Sequence, residues 1–128
     1  MKILKWIIRM EKLTIETRWA PTVNHLWKTS GHKRYLTPEA LRYIVEVKAA
    51  VPWGFKCFTE PVQVTIIASP PDKRKRDLDN LGKIIFDSLT KAGVYTDDHL
   101  VHKITITKAE IVKPNGRMII TVESLKGA

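Results

Sequence analysis

The apolar residues between positions 78 and 92 recur at steps of three and four, the spacing that places side chains along one side of an α-helix. They are Leu78, Leu81, Ile85, Leu89 and Ala92. Gly93 follows at the point where a residue with left-handed backbone geometry commonly ends a helix. The spacing therefore predicts an amphipathic helix from about Leu78 to Ala92, with its apolar side against a core.

Alternating apolar and polar residues, which are typical of β-strands, lie on both sides of this helix. The pattern covers Lys12 to Trp19, Pro61 to Ser69, Leu100 to Val112, and a closing strand that carries Met118, Ile120 and Val122. Pro114-Asn115-Gly116 separates the last two strands and predicts a hairpin turn between them.

A second helix is predicted before the central strand. Thr37-Pro38-Glu39 combines an N-cap, a proline at the first helical position and an acid in the first turn, so a helix should begin there and end near Val51-Pro52. Its inward side chains should be Leu41, Ile44, Val45 and Ala49. The stretch before it, up to Tyr35, is basic and without periodicity, which indicates an exposed loop.

The element order is therefore β-α-β-α-β-β. With 128 residues, of which 44% are hydrophobic, the chain is expected to form one small α+β domain with a mixed sheet of about four strands and two helices. Residues 1–11 mix cations with large apolar side chains, and their apolar run is too short for a signal peptide. We assign residues 1–11 to an N-terminal extension and residues 12–128 to the domain.

Charge and cysteine content limit the function classes. Lys plus Arg number 22 against 13 Asp plus Glu, a net charge of +9, which favours a polyanionic partner such as nucleic acid. The single Cys57 excludes an intrachain disulfide and a multi-cysteine zinc site, so a reducing, cytoplasmic location is expected. A membrane span is not expected.

Four consecutive cations, Lys73-Arg74-Lys75-Arg76, lie directly before the carboxylates Asp77 and Asp79. Cations bind phosphates, and a carboxylate pair can hold Mg²⁺, so the segment suits metal-assisted cleavage of a phosphodiester. Asp79 and Lys83 are four residues apart and should share one exposed helix surface. Asp77 can reach the same ion as Asp79 only if it lies in extended geometry before the helix.

Asp97 and Asp98 follow the helix and are the next candidate acids. The helix should carry Gly93 about 20 Å from its start. Asp98 therefore needs a loop bent inward, or a neighbouring subunit, to join the other carboxylates. Spacing alone leaves both alternatives open.

Two other functions fit parts of this pattern. A non-catalytic nucleic-acid-binding module would explain the charge but not the three carboxylates. A nucleotidyl- or glycosyltransferase could hold a metal-bound nucleotide with Asp-x-Asp, but no Gly-rich phosphate-binding loop accompanies it.

The run Pro71 to Lys83, followed by Phe86-Asp87-Ser88-Leu89-Thr90-Lys91-Ala92-Gly93 and by Asp97-Asp98, closely resembles RusA-type Holliday-junction endonucleases. The resemblance covers about a quarter of the chain. It is specific because it joins an Asp-Leu-Asp-Asn core, a lysine four residues after the second aspartate and an Asp-Asp pair after the helix.

The resemblance implies a homodimer that uses Mg²⁺, with Mn²⁺ able to substitute, to cut four-way DNA junctions in recombination and repair. It implies that Asp77, Asp79 and Asp98 are the essential, metal-binding acids and that Lys83 is the essential base. The DNA backbone would be held by Lys73, Arg74, Lys75 and Arg76.

Overall fold

The computed structural model describes residues 12–21, 27–31 and 33–125. The expected N-terminal extension, residues 1–11, lies outside this range. The elements in chain order are β1 (Lys12–Thr17), β2 (Trp27–Ser30), β3 (Lys33–Leu36), α1 (Pro38–Ala50), β4 (Val62–Ser69), α2 (Gly82–Lys91), β5 (Val101–Lys108) and β6 (Arg117–Ser124). Two short 3-10 turns, Leu78–Asn80 and Asp98–Leu100, precede α2 and β5.

The main sheet has four strands in the order β1-β6-β4-β5. β6 pairs antiparallel with both β1 and β4, whereas β4 and β5 run parallel, so α2 is the crossover between two parallel strands. The predicted α+β class, the mixed four-stranded sheet and the two helices are confirmed.

The core is centred on β4, whose side chains alternate between the two sides of the sheet. Val62, Val64, Ile66 and Ala68 are fully buried. They form one cluster with apolar residues of β1, β6 and both helices, including Ile85 and Leu89 of α2. The apolar stripe of α2 therefore faces the core, as its periodicity predicts.

Two predictions about connections are wrong. The basic stretch before α1 is not a loop throughout, because β2 and β3 pair there as an antiparallel hairpin around Gly31, which has a positive φ of 63°. β5 and β6 do not form a hairpin either, because β4 lies between them. Their connection instead crosses the end of β4, where the backbone N–H of Ala109 donates to the carbonyl of Ala68 and that of Val112 to Pro70.

Helix α1 begins where its sequence predicts, since the Thr37 side chain accepts a hydrogen bond from the backbone N–H of Ala40 at 3.3 Å. Its inward face was only partly predicted: Ile44 is buried, but Leu41 and Val45 are 50% and 63% exposed, and Ala49 is exposed as well. The side chains that α1 buries are Ala40, Tyr43, Ile44 and Val47. Among the described residues, no helix is long and apolar enough to cross a membrane.

Gly116 is expected to be the least replaceable glycine of the described chain. It has a φ of 72°, and a Cβ there would meet the Ser69 carbonyl oxygen at 2.8 Å and the Trp19 Cβ at 3.0 Å. Gly54 has a similar φ of 78° but nothing within 4 Å. Gly54→Ala should lower the free energy of unfolding by about 1 to 2 kcal/mol through backbone strain alone. Gly116→Ala should cost about 1 to 3 kcal/mol more through the added clash.

Urea denaturation of the two variants beside the parent chain measures both changes. Equal losses at the two positions would contradict the close approach at Gly116.

Candidate active site

Asp77 and Asp79 lie where the chain enters α2. Asp77 is extended, with φ −90° and ψ 131°, and Asp79 sits in the 3-10 turn Leu78–Asn80. The placement of Asp77 before the helix is confirmed. The predicted helix start at Leu78 is corrected, because the first turn is 3-10 and regular α-helix begins at Gly82.

The side chains of Asp77, Asp79 and Lys83 have no partner among the described residues. All three residues are exposed, and within the described part of the chain none of their side chains makes a hydrogen bond or an ion pair. They lie within seven positions at the entrance to one helix, two carboxylates followed by one ammonium group. Oxygen donors without protein partners are available to an ion or to water.

Both carboxylate oxygens of Asp72, by contrast, accept hydrogen bonds within its own loop. Its Oδ1 accepts the backbone N–H of Arg74 at 2.9 Å, which folds the segment after the two prolines into a turn. Both of its oxygens also accept from the Arg76 guanidinium, at 2.6 and 3.2 Å. This ion pair is bidentate, and it holds the pKa of Asp72 down at about 2, chiefly through the hydrogen bond from Arg76.

Arg76 is therefore held by three contacts, two on its guanidinium and one on its backbone carbonyl. Besides pairing with Asp72, its guanidinium stacks over the ring of Trp19 at 5.7 Å, and only 17% of its side chain is exposed. Its carbonyl accepts a hydrogen bond from the Lys108 Nζ at 2.9 Å. Since Asp77 is the next residue, these contacts from β5, the loop and Trp19 fix the backbone that carries Asp77.

The other three cations of the run are exposed, namely Lys73, Arg74 and Lys75. Arg74 keeps 83% of its side chain exposed and lies 3.6 Å from Asp72 only through its Nε. Lys75 lines a small cavity of about 140 Å³ together with Trp19, Asp77 and Asn80. Arg76 differs from these three because its pairing with Asp72 is bidentate and its side chain is only 17% exposed.

Asp98 lies at the other end of the sheet. It begins the 3-10 turn that leads into β5, whereas Lys108, the last residue of β5, is hydrogen-bonded to the residue before Asp77. Eight strand residues at about 3.3 Å each separate the two ends by on the order of 20 Å. The chain therefore does not bring its own Asp98 to Asp77 and Asp79.

The local neighbours of Asp98 are other acids. A hydrogen bond with the Asp97 side chain raises the pKa of Asp98, and the negative charges of Asp97 and Asp87 add to this effect. The pKa of Asp97 is lowered instead, first by the hydrogen bond that its Oδ1 accepts from the backbone N–H of His99. Asp98 therefore keeps its proton to a higher pH than Asp97 does.

No group of three or more His, Cys, Asp or Glu side chains is placed to hold a metal ion within residues 12–21, 27–31 and 33–125. The structure joins Asp77, Asp79 and Lys83 at one helix entrance and leaves Asp98 apart. Two exposed carboxylates still suit a hard divalent cation, which binds through one or two carboxylates and keeps several waters.

Sequence reasoning missed three residues that shape this site. Asp72 and Trp19 hold Arg76, and Lys108 holds the backbone carbonyl of Arg76. Asp72 carried a signal, because an aspartate after Pro-Pro and four residues before an arginine is a common turn and ion-pair arrangement. Trp19 and Lys108 are distant in sequence and gave no signal.

The chain also matches known proteins. The family model described as endodeoxyribonuclease RusA matches residues 18–123. The chain belongs to the RusA endodeoxyribonuclease family. The matched range contains Trp19, the basic run and all four candidate catalytic residues, so the whole loop of Asp72 to Asp79 lies within the RusA homology.

Individual relatives of this RusA-family chain cover nearly all of it. The crossover junction endodeoxyribonuclease RusA of Shigella sonnei (strain Ss046) is 30% identical over 118 residues, which are 91% of this chain and 98% of the relative. The proteins of the same name from Escherichia coli (strain K12) and Enterobacteria phage 82 have the same identity and coverage. The similarity therefore spans nearly the full length of these relatives.

The Asp72–Arg76 ion pair predicts a pH dependence of stability. The folded-state pKa of Asp72 is depressed to about 2, against an ordinary value of about 3.9, so the pair stabilises the fold above the ordinary value and stops doing so as the pH falls toward 2. Asp72→Asn should be less stable than the parent chain at neutral pH, and the difference should shrink between about pH 4 and pH 2.

Urea denaturation at several pH values checks this. Arg76→Gln is the matched variant and should lose the same pH-dependent part, because it removes the other partner. A gap between Asp72→Asn and the parent chain that stays constant down to pH 2 would contradict the role of the pair.

Proposed function

We propose that this RusA-family chain is a Mg²⁺-dependent endodeoxyribonuclease that acts as a homodimer and cuts four-way DNA junctions. The observation that carries the proposal is a pair of exposed carboxylates, Asp77 and Asp79, one helical turn before Lys83, all without hydrogen-bond or ion-pair partners among the described residues. Relatives named crossover junction endodeoxyribonuclease support the substrate. We assign the activity to residues 12–128, treat residues 1–11 as an extension, and expect it in the cytoplasm.

Asp77 and Asp79, completed by Asp98, would hold Mg²⁺, with Mn²⁺ able to substitute. An ion held there would supply Lewis-acid chemistry, lowering the pKa of a water molecule and offsetting negative charge on the scissile phosphate. The protein's part is to leave these carboxylates without competing cationic partners. The Asp72–Arg76 pair serves this by engaging the guanidinium of the residue next to Asp77. Without this pair, Arg76 would be free to neutralise Asp77.

Lys83 supplies positive charge to the same site. It lies in the first turn of α2, one turn after Asp79, and its side chain is exposed and unpaired among the described residues. Phosphodiester hydrolysis increases the negative charge on the phosphate oxygens in the transition state, so a fixed cation nearby lowers the barrier. Lys83 therefore stabilises the phosphate oxygens and does not need to move a proton.

The exposed cations should determine DNA affinity. Lys73→Ala and Lys75→Ala should each weaken junction binding at all sequences and reduce the slope of log affinity against log salt by about 1. Fluorescence anisotropy with a labelled four-way junction at several salt concentrations measures both quantities. Lys56→Ala, an exposed lysine in the α1–β4 connection, is the control of equal charge.

A junction affinity that is insensitive to Lys73 and Lys75 but sensitive to Lys56 would place the DNA on another surface.

Two cuts related by symmetry require two sites, which a C₂ dimer supplies. The full proposal is tested with a synthetic four-way junction, a linear duplex and a flap of matched sequence, each incubated with Mg²⁺ or with a chelator. We expect paired cuts in the four-way junction with Mg²⁺ only. Cutting of all three substrates at one rate would reject junction specificity, and cutting in the chelator would reject the metal dependence.

A further inference from the structure

Lys108, the last residue of β5, forms a hydrogen bond with the loop that carries the first candidate carboxylate. Its Nζ donates to the backbone carbonyl of Arg76 at 2.9 Å. That carbonyl belongs to the peptide group that joins Arg76 to Asp77, because the carbonyl carbon of each residue is bonded to the nitrogen of the next. A side chain from the end of β5 therefore contacts the peptide immediately before Asp77.

The backbone that bears Lys108 is itself anchored to the end of β4. In the parallel register Lys108 lies opposite Ala68, which is fully buried. The next residue, Ala109, donates its backbone N–H to the Ala68 carbonyl at 2.8 Å, and Val112 donates to the Pro70 carbonyl at 2.9 Å. The ammonium group of Lys108 thus extends from a paired strand end to the segment between β4 and the 3-10 turn, which has no regular structure of its own.

The other contacts of Arg76 act on its guanidinium, at the far end of a flexible side chain. Asp72 pairs with the guanidinium, and the Arg76 Cζ lies 5.7 Å from the centre of the Trp19 ring. Neither contact reaches the peptide group before Asp77. Within the part of the chain that the structure describes, Lys108 is the only donor to the Arg76 carbonyl. The orientation of that peptide therefore depends on Lys108.

The two carboxylates at the entrance to α2 are held by different means. Asp79 lies inside the 3-10 turn, which is closed by the backbone bonds from Asn80 to Asp77 at 3.3 Å and from Leu81 to Leu78 at 3.1 Å. Asp77 precedes the turn in extended geometry. Without a hold on the peptide before it, Asp77 is free to change its φ and ψ, and its carboxylate then shifts relative to that of Asp79.

We infer that Lys108 is a positioning residue of the proposed nuclease site: by holding the peptide before Asp77, it sets the place of the Asp77 carboxylate relative to that of Asp79. This role rests on the proposed function, which requires both carboxylates to hold one Mg²⁺. Mg²⁺ accepts little departure from octahedral geometry. Catalytic groups must stay within about 0.5 Å of their productive positions, and a displacement of about 1 Å lowers a rate by on the order of 10²-fold.

The alternative role for a lysine at this place is to bind a phosphate of the DNA. Lys108 is exposed, and an ammonium group has three N–H donors, of which the Arg76 carbonyl takes one. Loss of a phosphate contact weakens DNA binding and lowers the salt dependence of the affinity. Loss of a positioning contact instead lowers the rate at saturating enzyme and weakens metal binding. The hydrogen bond to Arg76 forms without DNA, which favours the positioning role.

Substitutions of two lysines in the same strand separate the two roles. Lys108→Met keeps a long unbranched side chain and removes the donor, and Lys108→Arg restores both an N–H donor and the charge. Lys103→Met is the matched control. Lys103 is exposed and without a partner among the described residues, and it lies five positions before Lys108, so it points to the other side of the sheet.

Single-turnover cleavage of a four-way junction at saturating enzyme should be about 10- to 100-fold slower for Lys108→Met than for the parent chain. Lys108→Arg should recover most of the rate, and Lys103→Met should cleave like the parent chain. Junction affinity, measured by fluorescence anisotropy without divalent metal, should fall no further for Lys108→Met than for Lys103→Met, because each variant loses one charge.

Metal binding in the absence of DNA gives a readout that does not depend on cleavage. The electron paramagnetic resonance signal of free Mn²⁺ falls as the ion binds, so a titration of the whole chain gives its affinity for Mn²⁺. Lys108→Met should bind Mn²⁺ about 10-fold more weakly than the parent chain, as expected for loss of a residue that orients a metal ligand. Lys108→Arg and Lys103→Met should bind it like the parent chain.

Parent-like cleavage and Mn²⁺ affinity in Lys108→Met would overturn the positioning role. An unchanged rate with a junction affinity below that of Lys103→Met would also overturn it, because Lys108 would then be a phosphate contact, and so would a Lys108→Arg variant as slow as Lys108→Met. Urea denaturation gives the folded fraction of each variant, and a loss of rate that disappears per folded protein likewise overturns the role. A parent chain that cleaves no junction with Mg²⁺ overturns the proposed function instead, so the two failures are distinct.

Discussion

An Asp79→Asn variant should bind a synthetic four-way junction nearly as tightly as the parent chain and cleave it far more slowly. The substitution keeps the shape of the side chain and removes the charge that a divalent cation needs. A bound metal contributes several kcal/mol to phosphoryl-transfer transition states, so the rate should fall on the order of 10²- to 10³-fold or more. Single-turnover cleavage and anisotropy measure the two quantities separately.

Asp79 is also exposed and unpartnered among the described residues, so its replacement should leave the free energy of unfolding almost unchanged. Glu110→Gln removes an equal charge from the β5–β6 connection and should cleave like the parent chain. Parent-like cleavage by Asp79→Asn would remove this carboxylate from the site and, with it, the central argument for metal binding at the entrance to α2.

Lys83→Gln should lower the cleavage rate by roughly 10²- to 10³-fold, with junction affinity reduced only by the loss of one charge. In the proposed mechanism, Lys83 lies one helical turn after Asp79, where charge would develop on the phosphate during the reaction. Its contribution should therefore appear in the rate at saturating enzyme and not in binding. Single-turnover measurements over a range of enzyme concentrations separate the two.

Lys91→Gln is the matched control, because Lys91 is the exposed last residue of the same helix, three turns from the carboxylates. The Lys91 variant should retain nearly the full rate. If both lysines affected binding equally and neither affected the rate, Lys83 would be a DNA-binding residue and not part of the chemistry.

The sequence predicted the features that depend only on neighbouring residues along the chain, such as helix starts and the apolar side of a helix. The Thr37 cap fixes the start of α1, and the need for Asp77 to precede the helix follows from the direction of side chains around a helix axis. The α2 stripe likewise identified a core-facing side that includes Ile85 and Leu89. These features depend on residues within one or two turns of each other.

Features that depend on tertiary neighbours were not predictable in the same way. Leu41 and Val45 are apolar, but α1 packs through Tyr43 and Val47, so the first two remain exposed. The β2–β3 hairpin lacks an alternating pattern, and its clearest signal is Gly31 at the turn.

The candidate site likewise has a part that local sequence predicts and a part that depends on tertiary structure. The placement of Asp77, Asp79 and Lys83 follows from one helix start, whereas Asp98 depends on the direction of β5 relative to β4. The parallel pairing of β5 with β4 directs β5 back along the crossover helix toward the Asp77 end. The bond from Lys108 to the carbonyl of Arg76 spans 32 positions, and no pattern in the sequence indicates it.

The distance between Asp98 and the α2 entrance also bears on how such an enzyme behaves when it is dilute. A single chain carries both parts of the candidate site, yet they stand at opposite ends of one strand. Under the proposed function, in which a homodimer cuts, a lone subunit would bind DNA without cutting it. The cutting rate would then rise with the square of the subunit concentration until dimers dominate.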